Sequence, residues 1–176
     1  MLHSDVKQRA TFRCSDQTLN RIYDITLRSD LSNLFYIPTD CPQREKNGWT
    51  ADAALSAEQF LYTFDCGKTL AEWLVNVCKA QRSDGMMPGI VPTYGWGFNW
   101  GNGPAWDCVI AEIPYQLYRF YGDEKIVLSS LPTILRYFDF ISTVTNADGL
   151  VEFGLGDWCE AETEQCHEYS TPVTYT

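Results

Sequence analysis

Histidine is nearly missing: His3 and His167 are the only two in 176 residues. That excludes a His-centred nucleophile triad, and no metal is expected, because the one grouping of ligand types, Cys159, Cys166 and His167, lacks the usual site spacing. Basic residues are also scarce, 13 Lys and Arg against 23 Asp and Glu, for a formal net charge of -10. A chain this acidic has no cationic cluster to displace counterions from a phosphate backbone, so nucleic acid is excluded as a partner. No apolar run approaches the length of a membrane span, and no Gly-rich loop leads into a helix with the Lys-Ser/Thr pair of a phosphate site. Neither a membrane nor a cofactor is expected. The 7 cysteines are odd in number and fall without CxxC spacing, which suits small reduced core groups better than a disulfide framework. With no cationic-then-apolar leader at the N-terminus, a cytoplasmic location is the expectation.

Aromatic residues, by contrast, are plentiful: 6 Trp, 10 Tyr and 9 Phe. Several stand in loops rich in Gly and Pro, among them Tyr94, Trp96, Phe98 and Trp100. Aromatic faces pack on sugar C–H groups while carboxylates and amides take the hydroxyls, so this composition suits a carbohydrate site.

Helical periodicity organises the rest. Ser15 reads as an N-cap with Asp16 in the first turn, before Leu19, Ile22, Tyr23, Leu27, Leu31 and Leu34 recur at helical spacing. Further helices are predicted over 52–64, 68–81, 104–121 and 124–144, with Pro114 kinking the fourth and Pro132 bending or dividing the fifth. Leu70, Trp73, Leu74, Val77 and Cys78 form one face of the third, and Tyr115 reads as a core residue. Gln59 to Phe64 and Gln116 to Tyr121 each close a helix ahead of a Gly- and Asp-containing turn, which suits a repeated hairpin. The fold class is therefore all-α, an array of helical hairpins.

Between the first two helices lies the most unusual stretch, residues 37–53, which is long for a helix connection and crowded with charge. Pro38 and Pro42 stiffen its first half. Thr50 reads as the N-cap of the next helix, which puts Asp52 in the first turn, where the dipole favours its ionised form. Glu45 lies near the indole of Trp49, an environment that disfavours a carboxylate charge. Two carboxyl groups of unequal proton affinity are what acid–base work on a glycosidic bond requires.

The run Asp40-Cys41-Pro42-Gln43-Arg44-Glu45-Lys46-Asn47-Gly48-Trp49-Thr50-Ala51-Asp52-Ala53 resembles the signature of the α-L-rhamnosidases of glycoside hydrolase family 78, with Ala51 where the family usually has glycine. The entry Cys14-Ser15-Asp16 with Leu19-Asn20-Arg21-Ile22-Tyr23 is similar to the start of that family's catalytic domain. The resemblance implies that Glu45 is the general acid of an inverting hydrolysis and that Asp40, Arg44, Trp49 and Asp52 line the sugar subsite. Arg44, set between carboxylates, would orient them and keep a binding aspartate ionised. Two later segments are also similar to family pocket segments: Pro104-Ala105-Trp106 with Asp107, and Gly156-Asp157-Trp158. They imply substrate contacts by Trp106, Asp107 and Trp158.

The implied fold is an (α/α)6 toroid. Residues 1–14 would be a lead-in and 15–176 about half of the toroid. The base glutamate of the family has no match here, so it is expected outside this chain. A half toroid ends on an exposed apolar edge, to be covered by a second copy or by further polypeptide. The expected ligand is a rhamnose-containing glycoside or oligosaccharide. A non-catalytic helical sugar-binding domain is the alternative, and a hydrolase of another (α/α)6 family acting on a different sugar is a third.

Overall fold

The computed structural model describes residues 3–94, 97–99, 102–155 and 173–174. Six α-helices carry it: α1 (Gln17–Asn33), α2 (Thr50–Thr63), α3 (Gly67–Lys79), α4 (Pro104–Asp107), α5 (Val109–Tyr121) and α6 (Glu124–Thr143). Strands are vestigial. β1 (Leu34–Phe35) and β2 (Ile37–Pro38) form a tight antiparallel hairpin through Tyr36, whose φ is 68°. β3 (Leu150–Val151) pairs antiparallel with β4 (Val173–Thr174). The mostly helical architecture agrees with the pattern in the sequence.

The helix starts differ from expectation by a residue or two. Asp16, not Ser15, caps α1, accepting from the N–H groups of Thr18 at 2.7 Å and Leu19 at 3.3 Å. A carboxylate there meets both the free N–H groups and the positive end of the dipole. Thr50 is the first residue of α2 and not its cap, since its hydroxyl is taken by the carbonyl of Gly89 at 3.1 Å. Pro114 does not interrupt its helix. The break falls at Cys108, between α4 and α5, and Pro114 lies one turn into α5, where it removes a single intrahelical bond. Pro132 leaves α6 continuous, because it is exposed and solvent reaches the carbonyl it leaves unpaired.

Helix α5 is central, packing against α2, α3 and α6. The core is built from Phe60 and Leu61 of α2, Leu70, Trp73, Leu74 and Val77 of α3, and Ile113 and Leu117 of α5. The expected face of α3 is thus buried, with Cys78 at its margin. The two hairpins α2–α3 and α5–α6 are tied through their echoing ends. Tyr62 and Phe120 stack edge-on at 4.9 Å, and the Tyr121 hydroxyl donates to Asp65 at 2.8 Å while accepting from Gly67 N–H at 3.2 Å.

Helix α1 is less buried than its periodicity suggests. Leu19 and Ile22 are half exposed, and Asn20 and Asp30 are its buried residues. α6 likewise presents Leu128, Leu131, Leu135 and Phe138 to solvent, a stripe at helical spacing. Tyr115, expected in the core, is exposed and stacks with Arg119 at 5.6 Å. The lead-in is pinned to the body, Ser4 N–H to the Leu34 carbonyl at 2.7 Å and Arg9 N–H to that of Thr63 at 2.9 Å. Among the described residues, no helix is long and apolar enough to cross a membrane.

Candidate active site

The loop from β2 to α2 closes on itself at Asp40 and Asn47. Asp40 N–H donates to the Asn47 carbonyl at 3.1 Å, and Asn47 N–H returns to the Asp40 carboxylate at 2.9 Å. Residues 41–46 therefore project as a small lobe. Residues 42–45 form a turn that begins at Pro42, and Lys46 takes a left-handed φ of 57° to turn the chain back. Within the lobe, Glu45 N–H is held by the Cys41 sulfur at 3.1 Å.

The returning leg is clamped to a second loop. Gly48 accepts from Val91 N–H at 2.8 Å, Thr50 N–H donates to Gly89 at 2.9 Å, and Trp49 faces Ile90 across an isolated antiparallel bridge. A Cβ at residue 48 would overlap the Val91 carbonyl oxygen, so only glycine lets the backbones approach this closely. The Trp73 indole of α3 holds that same carbonyl from the core side at 2.8 Å. The loop is thereby tied through residues 89–91 to the hydrophobic core.

That clamp places Trp49, which is 8% exposed. Its Nε1–H donates to Glu45 Oε2 at 2.7 Å. Its ring meets Trp106 edge-on at 6.3 Å, within a small apolar cluster completed by Ile90 and Leu155. The Trp106 indole N–H is buried and has no hydrogen-bond partner among the described residues. A buried donor without an acceptor is costly unless a ligand supplies one.

Asp52 lies in the first turn of α2, as expected, but burial raises its pKa first, and the charges of Asp40 and Glu45 raise it further; its own N–H pulls the other way. Burial thus works against the helix dipole that favours its ionised form. Burial is the larger cause, and the like charges of Asp40 and Glu45 add to it. Arg44 does not join them: it is exposed, and none of the ion pairs among the described residues includes it. Ala51 is an ordinary buried helical residue, so the position usually held by glycine requires no special backbone here.

Asp107 is also corrected. It is fully buried, not at an accessible surface, and it accepts from Gly103 N–H at 3.1 Å. Burial raises its pKa well above the usual carboxylate range, while hydrogen bonds from Tyr137 and the Gly103 backbone pull it back. It fastens the start of α4, where Gly103, at φ 116°, packs so tightly on Gly154 that an added Cβ would come within 2.5 Å of the Gly154 Cα. Trp158, Trp96, Trp100 and the Cys159, Cys166, His167 grouping lie outside the described residues. The described cysteines, Cys14, Cys41, Cys66, Cys78 and Cys108, are all free. Among the described residues, no three His, Cys, Asp or Glu side chains are placed to hold a metal ion together.

The structure thus joins Glu45 to Trp49 beside Trp106 and sets Asp40 and Glu45 within electrostatic reach of Asp52, while Asp107 is buried; Glu45, like Arg44, is exposed and is not sheltered by the indole as expected. The sequence reading did not include Asn47, whose bonds to Asp40 shape the lobe, or the anchoring segment 89–91. Gly89, beside Pro88, was the only available signal for the second.

Known proteins share this fold. The chain is 30% identical over 168 residues to an α-L-rhamnosidase of Streptomyces avermitilis, covering 93% of this chain and 16% of that protein. It superimposes on an α-L-rhamnosidase from Dictyoglumus thermophilum with a TM-score of 0.84 at 34% identity, covering 92% of this chain and 18% of the other. The crystal structure of the S. avermitilis α-L-rhamnosidase complexed with L-rhamnose matches with a TM-score of 0.84 at 29% identity, over 93% of this chain and 16% of the other. The chain therefore spans under a fifth of the length of these relatives. The model of the bacterial alpha-L-rhamnosidase 6 hairpin glycosidase domain matches residues 7–176, and the chain belongs to that family.

Proposed function

We propose that this chain forms the acid-bearing part of an inverting α-L-rhamnosidase site. Glu45 is the general acid, protonating the glycosidic oxygen as the bond to the rhamnosyl carbon breaks. Water attacks from the opposite face, activated by a carboxylate outside this chain across a gap of about 6.5–9.5 Å.

The contact between Trp49 Nε1–H and Glu45 Oε2 at 2.7 Å carries this reading. It fixes the plane of the carboxyl group and leaves Oε1 to hold the proton to be transferred. Asp40 and Asp52 accept sugar hydroxyls, and the unpartnered Trp106 N–H offers a donor to the same ring. Arg44 reaches the site from the lobe tip once substrate supplies an oxygen to bind. The relative crystallised with L-rhamnose supports the choice of sugar. The free cysteines support a reducing, cytoplasmic setting.

The test, run with the polypeptide that supplies the base present, is release of p-nitrophenol from its α-L-rhamnoside, beside other glycosides, with Glu45→Gln as the variant. Turnover that the substitution abolishes while binding persists is the expected result. Binding without turnover in the unaltered chain assigns a sugar-binding module instead, turnover that survives the substitution removes Glu45 as the acid, and release from other glycosides in preference to the rhamnoside reassigns the sugar.

A further inference from the structure

Glu45 is exposed, as are its lobe neighbours from Pro42 to Lys46, so packing does not decide where its carboxyl group sits. Hydrogen bonds do. At the far end of the side chain Trp49 Nε1–H holds Oε2 at 2.7 Å, and at the near end the backbone N–H of Glu45 is held by the sulfur of Cys41 at 3.1 Å. Among the described residues that N–H meets no backbone carbonyl. Cys41 is half-buried at the stem of the lobe, next to the Asp40 and Asn47 pair that closes it, so its sulfur spans the turn at 42–45 from the anchored side. With both ends fixed, the carbons between them keep few of the rotamers open to an exposed glutamate.

We infer that Cys41 is a positioning residue for proton donation: its sulfur fixes the backbone beneath Glu45, so that the carboxyl group held by Trp49 meets the glycosidic oxygen. The inference rests on the reading of Glu45 as the acid. Cys41 itself touches none of the reacting atoms. Sulfur suits the place because it is large and polarizable and stands further from its Cβ than a hydroxyl oxygen does, which lets it cross the turn. It is a weak acceptor, so the hold is modest. Misplacing a reacting group by about 1 Å costs on the order of a hundredfold in rate, and releasing this one hold is a smaller displacement.

The test compares Cys41→Ala with the parent, each with the polypeptide that supplies the base present, on phenyl α-L-rhamnoside and on 2,4-dinitrophenyl α-L-rhamnoside. Phenoxide leaves poorly without a proton and dinitrophenoxide leaves unaided, so only the first substrate needs the acid. Turnover of the phenyl rhamnoside falls about tenfold with little change in KM, while that of the dinitrophenyl rhamnoside stays within about twofold of the parent. Cys41→Ser keeps an acceptor on a shorter arm and recovers part of the loss; should the alanine variant fail to fold, the serine variant shows the same selectivity between substrates at smaller size. Equal losses on both substrates mean a purely structural role and overturn the inference, as do rates equal to the parent's on both. Glu45→Gln, run beside them, loses the phenyl rhamnoside and keeps the dinitrophenyl one. No such difference in Glu45→Gln removes the reading of Glu45 and the inference with it, whereas a difference there without one in Cys41→Ala or Cys41→Ser overturns the role of Cys41 alone.

Discussion

The indole N–H of Trp49 points at the carboxylate of Glu45, 2.7 Å away, while the same residue's backbone forms a bridge to Ile90. The acid on the exposed lobe is thus aligned by a side chain anchored to the core. Trp49→Phe keeps the packing against Trp106 and removes the donor. Its turnover of an aryl α-L-rhamnoside is expected to fall about tenfold to a hundredfold, with a smaller change in KM, because misplacement of a reacting group costs that much. Steady-state kinetics of the two forms, each with the polypeptide that supplies the base present, measure it.

Gly48→Ala tests the anchor itself. Its methyl group would overlap the Val91 carbonyl oxygen, and because the obstruction is backbone it cannot easily give way. The loop should separate from residues 89–91. The amide of Val91, which donates to Gly48 at 2.8 Å, is expected to lose its hydrogen-exchange protection while amides in α5 keep theirs.

Gly67→Ala probes the join between the hairpins. A Cβ there would lie 2.6 Å from the Tyr121 Cζ. The substitution is expected to destabilise the chain by about 1–3 kcal/mol in urea denaturation, the usual cost of overpacking. Tyr121→Ala removes the obstructing ring along with its bonds to Asp65 and Gly67, so the double variant should be less destabilised than the sum of the two. Additive effects would place the strain elsewhere.

Asp107 gives a pH signature. Its folded pKa is raised by burial above the ordinary carboxylate value of 3.8. As pH rises past that value, the unfolded chain releases a proton that the folded chain retains, so this group's contribution to stability declines until the folded pKa is reached. Asp107→Asn keeps an acceptor for Gly103 N–H and removes the titration. Relative to the parent it should gain stability between pH 4 and 7, read as a shift in urea midpoint measured across that range. An unchanged difference between parent and variant would mean that Asp107 ionises normally in the fold.

Much of this protein is written locally. Helical spacing located α2, α3, α5 and α6 to within a few residues, and the prolines, Gly48 and the Glu45 to Asp52 run marked the loop that carries the chemistry. These features are legible because periodicity, turn preference and motif order are properties of neighbours along the chain. What depended on distant contacts was not legible. Thr50 lost its capping role because Gly89, 39 residues away, took its hydroxyl. Asp52 took a raised pKa chiefly because the fold buried it, with Asp40 and Glu45 folded back toward it adding to the effect. Asp30 and Asp107 are both buried aspartates, yet one opens into a cavity and the other fastens a helix start, and only the surrounding elements distinguish them. The sequence by itself determined the helices, the loop and the family. The tertiary structure decided which side chains in that loop share a space, because burial and electrostatics are set by whatever the fold brings alongside a residue and not by its position in the chain.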